Sequence, residues 1–190
     1  MARKRSGSGE ARGPEAGIVR IIAGRWRGHT LRPLKGRNIR PTTDRVREAW
    51  MSALGDSAVG ARVVDLFAGS GALGLEALSR GAASVVFVEK ARTSVDVIRR
   101  NVILLGAAEE TTIVSDDVFR FLRRLDEPFD LAFADPPYGR GDAVTLVERF
   151  VETPFANELW LEHPVRESLQ LPEGAKTRRY GDTALSTLTT

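Results

Sequence analysis

The residues with the clearest capacity for chemistry are Asp135-Pro136-Pro137-Tyr138, which close the apolar run Phe129-Asp130-Leu131-Ala132-Phe133-Ala134. A carboxylate, two conformationally locked carbonyls and an aromatic ring stand together there. They offer acceptors for N–H groups and a flat surface for stacking. The run itself reads as a strand covered on both faces of a parallel sheet. Two prolines cannot continue a ladder, so the chain turns out at the carboxyl end of that strand. Ligands bind at this edge in open α/β sheets. The competing reading is a strand-ending turn with a packed tyrosine.

A second group is Asp65-Leu66-Phe67-Ala68-Gly69-Ser70-Gly71-Ala72-Leu73-Gly74. Its glycines let backbone pass close to a ligand at a helix N-terminus. The Gly-x-Gly-x-x-Gly spacing alone fits a dinucleotide site. Three features point elsewhere. Asp65 lies four residues before the first glycine, where a carboxylate repels a pyrophosphate and suits a cationic amino acid. The second and third strands end in acids, Glu89 and Asp117. The fourth ends in Asp-Pro-Pro-Tyr, the pattern of enzymes that methylate an amino nitrogen.

Together these strand ends form the layout of a class I, Rossmann-like methyltransferase that uses S-adenosylmethionine. Asp65, Phe67 and the backbone of Ala68, Gly69, Ser70 and Gly71 are expected at its methionine part, and Asp135 is expected among its cofactor contacts as well as in catalysis. Glu89, followed by Lys90, is expected on the ribose hydroxyls. Asp117 is expected on the adenine amino group, with the Val118 N–H on the ring, and Asp116 competes for that role. An acid after a strand is also a common helix cap.

The elements that must position these residues follow from periodicity. Ile18 to Ile22 and His29 to Leu31 read as a short hairpin. Thr43 reads as the cap of a helix with Val46, Ala49, Trp50, Ala53 and Leu54 on one face. Strands are expected at Arg62–Phe67, Ser84–Val88, Thr111–Val114, Phe129–Ala134 and Leu159–Glu162. Helices are expected at Ala72–Ser79, Ala91–Leu105, Val118–Leu125 and Asp142–Val151. Lys176–Tyr180 and Ala184–Leu188, around Gly181-Asp182, read as a closing antiparallel hairpin. The alternation predicts a parallel, doubly wound α/β sheet. Three regions are expected: a disordered basic tail over 1–17, a hairpin-and-helix extension over 18–60, and the cofactor domain over 61–190.

Composition narrows the chemistry. The 190 residues include no cysteine, which excludes disulfides, thiolate metal sites and the cysteine-dependent methylation of cytosine C5. His29 and His163 are the only histidines, so no metal site is expected. No run approaches the ~18 apolar residues of a membrane span, and a cytoplasmic protein is expected. The net charge of +3 hides an asymmetry. Residues 1–47 hold 13 Lys/Arg against three acids, and residues 48–190 hold 15 against 22. A basic leader on an acidic domain is the footprint of a polyphosphate partner.

The chain closely resembles the RsmD family over about residues 18–190. The resemblance rests on Arg20-Ile21-Ile22-Ala23-Gly24-Arg25-Trp26-Arg27-Gly28, Arg40-Pro41-Thr42-Thr43-Asp44-Arg45-Val46-Arg47-Glu48, Asp65 to Glu76, and Asp135-Pro136-Pro137-Tyr138. It implies a bacterial cytoplasmic enzyme, here expected to be a monomer. That enzyme methylates the N2 amino group of a guanine in 16S ribosomal RNA, free or in the small subunit. Asp135 and the Pro136 carbonyl would accept the amino hydrogens, and Tyr138 would stack on the base. Arg25, Arg27, Arg40 and Arg45, with Trp26 and Thr42, are the candidates for contact with RNA. Trp26 could equally anchor the hairpin. Three rivals stand: an N6-adenine or N4-cytosine DNA methyltransferase, a protein-glutamine methyltransferase, and a catalytically silent RNA-binding assembly factor.

Overall fold

The computed structural model describes residues 19–34 and 41–190, with the backbone alone over 41–45. A two-stranded ladder comes first, β1 (Val19–Arg20) antiparallel to β2 (Thr30–Leu31), with Val19 opposite Leu31. Helix α1 (Pro41–Leu54) follows. The chain then alternates: β3 (Arg62–Leu66), α2 (Ala72–Ser79), β4 (Ser84–Val88), α3 (Arg92–Leu105) and β5 (Thr111–Val114). It continues through α4 (Val118–Leu122), β6 (Phe129–Ala134), α5 (Asp142–Glu152) and β7 (Ala156–Pro164), and ends in β8 (Lys176–Tyr180) and β9 (Thr183–Thr189).

Among the described residues the main sheet runs β5-β4-β3-β6-β7-β9-β8. Strands β5 to β7 of this order are parallel, and β9 enters antiparallel between β7 and β8. This is the expected doubly wound sheet with its C-terminal hairpin. The order reverses between β3 and β6, the point where such sheets open a crevice. Leu66 pairs with Ala134 across it, so the glycine turn and the Asp135 turn emerge side by side.

Helix α1 starts three residues earlier than a Thr43 cap implies, at Pro41. A proline suits the first turn, where its fixed φ fits and its missing N–H costs nothing. Helix α4 stops at Leu122, three residues short of the expected end.

Alternation along the strands sends side chains to two cores. On one face Val63, Phe87, Leu131 and Phe133 pack with Trp50, Met51 and Leu54 of α1, Leu75 of α2, and Ile98 and Val102 of α3. The Trp50 and Phe133 rings meet edge-on at 5.8 Å. On the other face Val64, Leu66, Ala132 and Leu159 pack with Leu122, Leu146, Val147 and Phe150. Val19, Ile21 and Leu31 of the hairpin belong to the first core. The hairpin thus shares a core with the sheet across the boundary expected near residue 60. Helix α2 is covered on its outer side as well, and its polar Glu76 and Ser79 are 1% and 4% exposed. Both are used on the hairpin: Glu76 accepts the Ile22 and Ala23 N–H groups at 2.7 and 3.0 Å, and Ser79 Oγ donates to the Ala23 carbonyl at 2.6 Å. No helix among the described residues is long and apolar enough to cross a membrane.

Candidate active site

The glycine turn is built from left-handed backbone. Phe67, Gly69 and Gly71 have φ of 58°, 57° and 78°. Strain of this kind at a non-glycine residue is concentrated at functional sites, and Phe67 lines the cleft described below. Gly74 answers to packing instead: a Cβ there would lie 2.4 Å from Phe87 Cε1. Asp65 is 1% exposed and its Oδ2 accepts the Gly74 N–H at 3.0 Å. Gly71, at the N-cap of α2, has no side chain to offer, so Asp65 supplies the capping oxygen from the strand below. Burial pushes the Asp65 carboxyl well above its usual range; the Gly74 bond opposes this, and the charges of Asp135 and Glu89 add to it.

A cleft of about 750 Å³ opens at the carboxyl edge of β3, β4 and β6. Of the expected residues, Phe67, Gly69, Glu89, Lys90, Asp116, Val118, Asp135 and Pro137 line it. Asp65, Ala68, Ser70, Gly71, Asp117, Pro136 and Tyr138 are not on its wall. Asp65 thus supports the turn from beneath rather than facing a ligand.

Glu89 is held at both oxygens, accepting the Gly69 N–H at 3.0 Å and the Ala91 N–H at 2.8 Å. This fixes a carboxylate between the first and second turns. Asp117 caps α4, accepting the Phe119 and Arg120 N–H groups at 3.1 and 3.2 Å, and Lys90 Nζ stands 3.8 Å from it. Its neighbour Asp116 faces the cleft. Asp116 accepts the Asp117 N–H at 2.8 Å and pairs with Arg120 and Arg124. The Asp117 N–H, first of all, holds the Asp116 carboxyl below the usual range; burial opposes it, and the Arg120 and Arg124 guanidiniums reinforce it. Of the two competing acids, Asp116 is the one on the cleft wall.

Pro136 is buried, and Tyr138 beyond it is 41% exposed. The Tyr138 hydroxyl donates to Glu162 Oε1 at 3.1 Å and lies 3.2 Å from Thr183 Oγ1. The ring is therefore tethered to β7 and β9 at its far end. Burial, first among several causes, pushes the phenol up to about 12.

The hairpin tip is elsewhere. The Arg25 N–H donates to the Ser79 carbonyl at 2.8 Å, and the Trp26 N–H donates to Ser79 Oγ at 3.0 Å. Arg25 pairs with Glu110 at 2.7 Å and lies 3.8 Å over the Trp26 ring. Ser79 ends α2 and Glu110 precedes β5, so both lie at the amino edge of the sheet, opposite Asp135. The structure does not bring Arg25, Trp26 or the exposed Arg27 to the cleft, and the contacts of Trp26 are those of an anchor against the first core. Arg40 lies outside the described residues, as do the side chains of Thr42 and Arg45.

Arg32, Pro33, Leu34 and Arg100 also line the cleft, and no motif marks them. Asn101, 0% exposed, did leave a signal. It lies three residues after Ile98 and four before Leu105, a polar residue on the buried stripe of α3.

At 22% identity the chain shares the fold of a Thermus thermophilus 16S rRNA N2 methyltransferase (RsmC) solved with AdoMet and guanosine; the TM-score is 0.69, covering 93% of this chain and 50% of that one. A hypothetical protein, also of Thermus thermophilus, superposes with a TM-score of 0.78 at 32% identity, covering 91% of this chain and 100% of that one. The sheet order, the glycine turn and the acidic strand ends define a class I S-adenosylmethionine-dependent methyltransferase. The family described as Conserved hypothetical protein 95 matches residues 19–188. Over 136 residues the chain is 40% identical to Ribosomal RNA small subunit methyltransferase D of Escherichia coli (strain K12), covering 70% of this chain and 68% of that protein. The chain belongs to this family, the RsmD family.

Proposed function

We propose that the protein transfers a methyl group from S-adenosylmethionine to the exocyclic N2 amino group of a guanine in 16S ribosomal RNA, as a cytoplasmic monomer acting on the small ribosomal subunit. One observation carries this reading: Asp135 and Pro137 share a single cleft with Gly69, Glu89 and Asp116. The amino-acceptor motif and the cofactor motif thus face one space.

The residues present fit that cofactor. Four carboxylates, Glu89, Asp96, Asp116 and Asp135, line the cleft, with Arg32, Lys90 and Arg100 among them. The carboxylates at the strand ends suit a ligand bearing a sulfonium and an ammonium group. Glu89 would hold the ribose hydroxyls, Asp116 and Val118 the adenine, and the Phe67–Gly69 turn the methionine part. The sulfonium supplies an activated methyl group, so no covalent enzyme intermediate is needed.

The protein's own work is positioning. The guanine amino lone pair is delocalised into the ring and is a poor nucleophile. Asp135 and the Pro136 carbonyl accept its two N–H bonds and aim the lone pair into the cleft. Tyr138, fixed at its hydroxyl, offers its ring to a base taken out of its stack. Residues 18–60 serve as the RNA-facing extension of the catalytic region 61–190. Within the described part of that extension, Arg32 is the arginine on the cleft wall.

The test is methyl transfer from labelled S-adenosylmethionine to naked 16S RNA, to small subunits lacking the modification, and to duplex DNA. N2-methylguanosine from RNA or subunits is expected. Label in methyladenine or methylcytosine from DNA overturns the substrate while leaving the cofactor and fold in place.

A further inference from the structure

Arg32, Pro33 and Leu34 leave the hairpin and line the same cleft as Glu89, Asp116 and Asp135. Asn101 of α3 fixes them there. Its Oδ1 accepts the Arg32 N–H at 2.8 Å, and its Nδ2 donates to the Arg32 carbonyl at 3.2 Å and to the Ser70 carbonyl at 3.0 Å. Ser70 stands in the glycine turn beside Gly69, which is on the cleft wall. One fully buried side-chain amide therefore joins the leader, α3 and the turn.

Both amide hydrogens and the oxygen are engaged, which sets a single orientation; reversed, the oxygen would face two carbonyls. A polar amide among Ile98, Val102 and Leu105 is costly unless all of these bonds form. An aliphatic residue would satisfy the stripe but would leave the leader untied.

We propose that Pro33 and Leu34 form part of the cofactor-binding site, and that Asn101 is the positioning residue that holds them against it. The proposal rests on the methyltransferase reading and adds a role for the leader beyond RNA contact. On the cleft wall, Pro33 and Leu34 shield the ligand from water.

The test is calorimetric titration of S-adenosylmethionine and S-adenosylhomocysteine into the full chain, well below the melting temperature of each variant. Asn101→Ala and the double variant Pro33→Gly/Leu34→Ala are compared with wild type. Both are expected to bind at least tenfold more weakly. KM for S-adenosylmethionine should rise in parallel, with kcat at saturation within threefold. The double variant touches exposed and half-buried positions, so it stays informative where Asn101→Ala fails to fold. Unchanged affinity in the double variant overturns the cofactor role of the leader. A lower Tm with unchanged affinity in Asn101→Ala makes that residue structural and overturns its positioning role. A wild-type chain that binds neither ligand overturns the methyltransferase reading itself, which is a separate failure.

Discussion

Asp135 separates binding from chemistry at the scale of one residue. It lines the cleft just after β6, and in the proposed role it orients the amino group while Glu89 and Asp116 hold the adenosine part. Asp135→Ala is therefore expected to reduce single-turnover transfer by about 10²–10³-fold, the loss typical of one preorganised polar group. The affinity for S-adenosylmethionine, measured by calorimetry, should stay within threefold. Tyr138 makes a second case. Its phenol, pushed up to about 12, keeps its proton across the working range. The pH–rate profile of the wild type should show no tyrosine limb at neutral or mildly alkaline pH. Tyr138→Phe should keep most of the turnover because the ring remains, whereas Tyr138→Ala loses stacking worth about 1–3 kcal/mol per base.

At the scale of elements, the turn between β3 and α2 depends on a buried acid. The raised pKa of Asp65 means that the folded state holds this proton more tightly than the unfolded chain does. Its contribution to stability is present below the ordinary carboxylate pKa and is lost as pH rises through the raised value. Asp65→Asn keeps an oxygen for the Gly74 N–H and removes the charge. It is expected to melt at or above the wild-type temperature at neutral pH and to flatten the fall of Tm with rising pH, as followed by scanning calorimetry. Gly74→Ala acts in the opposite sense. Its Cβ would press on the buried Phe87 ring, and overpacking of this kind costs about 1–3 kcal/mol. Urea titration should show a lower midpoint.

At the scale of the whole molecule, the placing of charge decides how RNA is met. Arg25 is paired with Glu110 at the amino edge, so Arg25→Ala is expected to leave RNA affinity within twofold. Arg32→Ala, at the cleft, should weaken RNA binding and reduce its log–log salt slope by about 0.7, the value for one phosphate of a single strand. Filter binding across a salt series measures both. An unchanged slope for Arg32→Ala would remove it from the interface.

Much of the site was legible because its parts are local. Strand, glycine turn and helix follow one another within Asp65–Ser79, and a strand ending in two prolines must leave the sheet at its carboxyl end. Alternating strands and helices then determined a parallel sheet, and the acidic strand ends determined the cofactor class. What the tertiary structure decided depends on contacts between residues far apart in sequence. The hairpin tip is drawn to Ser79 and Glu76, some 53 residues away, because α2 needs its outer side covered. That sends Arg25 and Trp26 to the edge away from Asp135, although their composition resembles an RNA contact. Asp116 and Asp117 are adjacent and chemically identical. Only the backbone geometry at the start of α4 assigns one to the helix cap and the other to the cleft. Asn101 was visible as a polar break in an apolar stripe, but its partners at Arg32 and Ser70 lie 69 and 31 residues away. Periodicity reports which face of an element is buried; it carries no information about which distant backbone that face must satisfy.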